Sequence, residues 1–214
     1  GLMANVVLLY LAAIAYAAAR YVVFAPENLE HLPVFVVNKG VSMAAALSLA
    51  LAFWSQWRSR VGGGAGGDET AAARWFRAGL FGALAHVPMS LVILRPSYFP
   101  EFFRGERLSF NGETVFLFGA LTAAGMYLLN RGPWTARARW WMSLGTLAML
   151  FAHTLSMGLA RGLNLSRSHA YLPPMWLLSL VGLGLGLGFL LRSRPPPVSR
   201  DPNRDSSAAG REPL

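Results

Sequence analysis

Six stretches free of Asp, Glu, Lys and Arg divide this chain, at residues 2–19, 40–57, 78–94, 114–130, 140–160 and 170–191. Each approaches the roughly 20 residues that a helix needs to cross the hydrocarbon core of a bilayer. Charged residues make up only 14% of the sequence and hydrophobic ones 54%, whereas soluble domains carry about 25% charged residues. Six crossings within 214 residues leave only short connections and a tail. The expectation is an all-α membrane protein, a six-transmembrane-helix bundle over residues 1–192 with a disordered C-terminal tail over 193–214, where Pro, Ser and charge dominate. The first stretch has no basic segment ahead of it and is too long for the apolar core of a signal peptide, so it reads as the first helix.

The sequence contains no cysteine, which excludes disulfides, thiolate metal sites and iron–sulfur clusters. Its net charge is +9, yet the arginines lie in connections and tail, with no soluble domain to present them to nucleic acid. They read as topology signals. The connections after helices two and four, with the tail, hold twelve Lys and Arg residues; the opposite side holds seven, alongside five Glu. This bias predicts both termini in the cytoplasm, with a bacterial inner membrane as the setting. The connection "RVGGGAGGDET" is expected to be flexible. Tyr98, Phe99, Phe102, Phe103 and Phe110 predict an aromatic belt at the outer interface. Ser109 or Asn111 is a candidate cap for helix four, with Glu113 in its first turn. In the last helix, "GLGLGLG" pairs Gly182 with Gly186 and Gly184 with Gly188 at a spacing suited to close helix packing.

Of the four histidines, His31 and His169 fall in outer connections, while His86 and His153 lie deep in apolar spans. An ionisable group there needs a partner that hydrocarbon does not supply. A Ser or a carbonyl on the next helix would satisfy a neutral imidazole, so either histidine alone stays open between packing and function. Taken together they say more. Helices three and five run parallel, and His86 stands nine residues from Arg95 while His153 stands eight from Arg161. Measured from Arg77 and Arg139 the depths differ by about 7 Å at the helical rise, but Arg77 is able to snorkel. The outer comparison places both imidazoles at nearly one level.

Two imidazoles at one depth, without carboxylate or thiol beside them, suit a flat cofactor gripped from both faces, and haem iron takes neutral imidazole. A bare zinc or copper ion would be short of ligands, and a proton relay lacks an acidic partner within any span. Gly79 and Gly82 ahead of His86, and Gly145 ahead of His153, offer clearance. Ser90 and Ser156 are candidates to orient the free ring nitrogens, and Pro88 predicts a bend just past His86. The candidate cofactor-binding set is therefore His86, His153 and Gly82, with the two histidines as iron ligands and Arg95 and Lys39 as candidate partners of haem propionates. No catalytic residue is assigned.

The segments "RWFRAGLFGALAHVPMSLVILRPSYFPEFF" and "RWWMSLGTLAMLFAHTLSMGL", with "FNGET" between them, resemble the ferric reductase-like transmembrane domain family over most of residues 34–192. The resemblance implies a bundle that holds b-type haem and passes electrons across the membrane, with His86 and His153 as one axial pair. Family members with two stacked haems carry a second histidine about thirteen residues away on each of these helices. Here those positions hold Ala73 and Phe99, and Trp140 and Ser166, so one haem b is implied. The short polar tail after the last helix carries no G-x-G-x-x-G, so no flavin and nicotinamide domain is expected there. A quinol or a separate flavoprotein would then be the electron donor, with ferric ion or a periplasmic partner as the outer acceptor. Two other readings stand beside this one: a cofactor-free transporter component or assembly scaffold, and an accessory subunit whose haem is structural.

Overall fold

The computed structural model describes residues 1–24, 32–61, 67–160 and 172–193. The tail expected beyond residue 193, the glycine-rich residues 62–66, His31 and His169 lie outside the described residues. Six long helices follow one another: α1 Leu2–Ala18, α2 Leu32–Val61, α3 Gly67–Ile93, α4 Phe110–Arg131, α5 Ala136–Ala160 and α6 Met175–Arg192. All six are long and apolar enough to cross a membrane. The chain is an integral membrane protein of the all-α class.

Helix α2 is the hub. Of its most apolar window 61% is buried, against 11–28% for the other five spans. It packs on α1, α3 and α6; α6 packs on α5, α5 on α4, and α4 touches α3 lightly. Helices α2 to α6 thus close a ring around an interior space, and α1 lies outside it against α2. Between helices in lipid there is little hydrophobic gain, so close van der Waals approach has to hold them together. Glycine supplies it at two seams. A Cβ on Gly40 would stand 2.6 Å from the Cα of Ile14 in α1, and one on Gly186 would stand 3.0 Å from the Cα of Ala50 in α2.

Only one of the two glycine stripes on α6 is used in this way. Gly182 and Gly186 are buried against α2, whereas Gly188 meets nothing within 4 Å and Gly184 only the edge of Phe151 at 4.0 Å. Two residues along a helix is about 200° around it, so both stripes cannot face one neighbour. Helix α3 begins at Gly67, inside the stretch expected to be flexible. It continues as one helix through Pro88, whose missing N–H leaves the Leu84 carbonyl without its usual donor.

The aromatic connection between α3 and α4 folds inward and forms no exposed belt. Tyr98, Phe99 and Phe102 are buried and join Phe35 and Tyr21 in one core cluster. Phe99 and Phe102 stack at 5.7 Å, and Phe35 lies 5.9 Å from Tyr98. Phe103 is half-buried, and only Phe110 is largely exposed, at 82%. The physical reason is that the ring of helices would otherwise open its core at this end. A 3₁₀ turn at Pro100–Phe102 and a hairpin of β1 (Phe103–Arg104) and β2 (Arg107–Leu108) complete the plug. Gly105 turns the hairpin at a φ of 64°, a conformation glycine adopts at little cost. Ser109, rather than Asn111, caps α4: its hydroxyl accepts from the Gly112 N–H at 3.3 Å.

Arg20, read from the sequence as a connection charge, is buried in a π-helical turn, Ala19–Val23, that extends α1. Its guanidinium donates to the carbonyls of Leu172 and Pro173, and the Tyr16 hydroxyl reaches the Pro173 carbonyl at 2.6 Å. These bonds tie the end of α1 to the chain entering α6. Midway along the ring, Leu49, Leu80 and Met126 form a buried apolar layer, backed by Phe76, Ala83 and Leu150.

Candidate functional site: a cavity between two histidines

A cavity opens inside the ring between the apolar layer and the aromatic plug, and both His86 and His153 line it. Each stands seven residues before the point where its helix ends as described, at Ile93 and Ala160. That is about 10 Å along each axis, so the two rings enter at one level.

Each imidazole is oriented through Nδ1. On α3, Nδ1 of His86 lies 2.6 Å from Oδ1 of Asn38 on α2. The Asn38 amide also donates to the Ser90 hydroxyl at 3.2 Å, and Ser90 Oγ lies 3.3 Å from Nδ1 of His86 and 3.2 Å from its Nε2. Asn38 is only 2% exposed, so its amide is committed to this group. On α5, Nδ1 of His153 lies 2.8 Å from the Val115 carbonyl on α4. A carbonyl only accepts, so Nδ1 of His153 carries the proton and Nε2 carries the lone pair. The same holds for His86 with the amide oxygen of Asn38 as acceptor. Gly119, four residues after Val115, makes room: a Cβ there would stand 3.2 Å from both Cε1 and Nδ1 of His153.

The remaining walls mix small and polar residues with large apolar ones, among them Leu49, Met126, Leu150 and Met157. Gly79 and Ala83 come from α3, Ala45 and Ala46 from α2, Thr122 from α4, and Trp176 and Ser179 from α6. The cavity measures about 120 Å³, below the range of roughly 300–1,000 Å³ found for ligand pockets. A macrocycle would therefore extend to the open side. Lys39 lines the cavity at its plugged end, with Nζ 4.9 Å from the centre of the Phe99 ring and 5.3 Å from that of Phe35.

The other expected site residues lie elsewhere. Gly82 faces the Tyr10 hydroxyl of α1 and the Cβ of Ala45, away from the cavity lining. Tyr10 fills that space and donates to the Ala78 carbonyl at 2.7 Å. Gly145 meets nothing within 4 Å and is exposed on the outside of α5. Arg95 is exposed just past α3, where its carbonyl accepts from the N–H groups of Tyr98 and Phe99 and anchors the plug. Ser156 was expected to orient His153; the Val115 carbonyl takes that place. Asn38, Val115 and Gly119 were not singled out from the sequence. Only Asn38 left a trace there, as a polar residue near the start of α2.

Two imidazoles on one cavity are a donor set that haem iron accepts, whereas they leave a bare ion short of ligands. They enter at one level; Nε2 of His153 carries its lone pair, while Nε2 of His86 lies 3.2 Å from the Ser90 hydroxyl. Among the described residues no group of three His, Cys, Asp or Glu is placed to hold a metal ion. No protein-family model and no curated protein matches the chain.

Proposed function

We propose that this protein holds one b-type haem between His86 and His153 and passes electrons through it across the membrane. The observation that carries the reading is the pairing of two span-buried imidazoles on one cavity, each engaged through Nδ1. Haem bound there supplies a one-electron iron couple. The chain's own residues do the rest. Asn38 and the Val115 carbonyl hold the proton on Nδ1 of each ring and fix its plane, as partners of ligating histidines commonly do. With His86 and His153 both ligating, the iron would keep no position for O₂, which would favour electron passage. Gly79 keeps the clearance role expected of it and Ala83 stands in that role for Gly82. Lys39, at the plugged end, stands as the cation for a propionate, and Arg95 anchors the plug.

In this reading the arginine-rich end of the bundle, with both termini, faces the cytoplasm. The donor is a quinol or a separate flavoprotein. The acceptor on the opposite face is ferric ion or a partner protein.

The test is an optical spectrum of the purified protein. A reducible Soret and α band of b type is expected, and it should vanish in His86→Ala and in His153→Ala. A colourless wild-type protein would sink the reading. Reoxidation of the reduced protein by a ferric chelate then separates electron transfer from a purely structural haem. A second reading draws on the same bonds: His86 ties α3 to α2 through Asn38, and His153 ties α5 to α4 through Val115. Without a cofactor these would be helix ties alone, and the histidine variants would lose thermal stability and no colour.

A further inference from the structure

A second cavity lies at the arginine-rich end of the bundle, on the other side of the Leu49–Leu80–Met126 layer. Its volume is about 630 Å³, which falls within the roughly 300–1,000 Å³ of ligand pockets. Arg60 near the end of α2, Arg77 on α3 and Arg139 near the start of α5 all line it, and among the described residues no acidic side chain does. Arg60 donates to the Ser193 carbonyl, which holds its guanidinium at the end of α6 and leaves further N–H groups for another acceptor. Asn130 adds an amide to this polar mouth, while Phe53 and Leu129 line the apolar part.

Arginines that serve only as topology signals need to lie in a connection and nothing more. Three that come from three helices onto one cavity, with no carboxylate among its described walls, form a cluster that topology alone does not require. Their planar forks match the oxygens of a phosphate, which accepts two parallel N–H bonds from each. We propose that this cavity is a binding site for a phosphate-ester anion, with the phosphate among Arg60, Arg77 and Arg139 and the apolar body of the ligand against Phe53 and Leu129. Two sources share that chemistry: the headgroup of an anionic phospholipid of the surrounding leaflet, and a soluble phosphate monoester arriving from the aqueous side. The site does not depend on what occupies the cavity between the histidines.

The experiment uses the full-length protein in phosphatidylcholine nanodiscs, with thermal unfolding and binding isotherms as readouts. The probes are short-chain phosphatidylglycerol, short-chain phosphatidylcholine as the net-neutral comparison, and adenosine monophosphate. Phosphatidylglycerol or the nucleotide is expected to raise the unfolding temperature where phosphatidylcholine does not. Binding of phosphatidylglycerol alone assigns the lipid source, and binding of the nucleotide, in competition with it, assigns the soluble one. Arg77→Gln and Arg139→Gln are each expected to weaken binding about tenfold, since each removes charge-assisted bonds. Arg131→Gln and Arg137→Gln, at the same end but off the cavity, should bind as wild type. Should a glutamine variant fail to fold, Arg77→Lys keeps the charge, loses the fork, and is expected to fall between. The proposal is overturned if neither anion binds wild type better than phosphatidylcholine, if the cavity variants bind unchanged, or if the off-cavity variants weaken binding equally.

Discussion

Asn38 and Gly119 act on the histidines without touching anything bound between them, and each gives a test at the scale of one side chain. Replacing Asn38 with Leu removes the acceptor 2.6 Å from Nδ1 of His86. Loss of a partner that orients a ligand costs about 10–100-fold in affinity, so haem titration of the apo-protein should show weakened binding with the b-type spectrum kept. Gly119→Leu places a branched side chain where the His153 ring sits, since even a Cβ there comes to 3.2 Å. The expected result is loss of the bis-imidazole spectrum, and a spectrum unchanged from wild type would refute the packing. His86 and His153 were legible in the sequence because an ionisable residue in an apolar span has few reasons to be there. Val115 and Gly119 were not, because one acts through its backbone and the other through an absent side chain. Asn38 stood beside Lys39, and the charge drew the reading away from the amide.

The helices themselves were legible as elements, because runs without charge mark where lipid or core must surround the backbone. Their ends were less so. Helix α2 extends to Leu32 and Val61 and takes in Lys39, Arg58 and Arg60, since long basic side chains reach water or an aromatic face from a terminal turn. The aromatic connection misled for a related reason: an exposed belt and a buried plug have one composition, and only the tertiary closure tells them apart. Spacing also could not say which glycine stripe of α6 packs. That supplies a test on one element. Gly186→Leu should destabilise the bundle by about 1–3 kcal/mol through overpacking against Ala50, read as a lower unfolding temperature in detergent. Gly188→Leu, on the open stripe, should leave that temperature unchanged.

For the molecule as a whole, the ring places two chambers in line along the membrane normal, one lined by histidines and one by arginines, with Leu49, Leu80 and Met126 between them. Neither chamber was visible in the sequence, because their walls come from five helices whose relative rotation no periodicity records. The layer between the chambers has a consequence for the cell's energy supply. Three buried hydrocarbon side chains offer a hydrated proton no hydrogen bond, so this partition is an insulator against ions. An electron needs no hydration shell and passes such a barrier by tunnelling. Leu49→Asn puts an amide into the layer, and proteoliposomes carrying it should dissipate an imposed pH gradient faster than those carrying the wild type. An equal rate would show that the proton barrier lies elsewhere. Under the proposed function, such a partition would let reducing power cross the membrane without short-circuiting the proton-motive force that the membrane maintains.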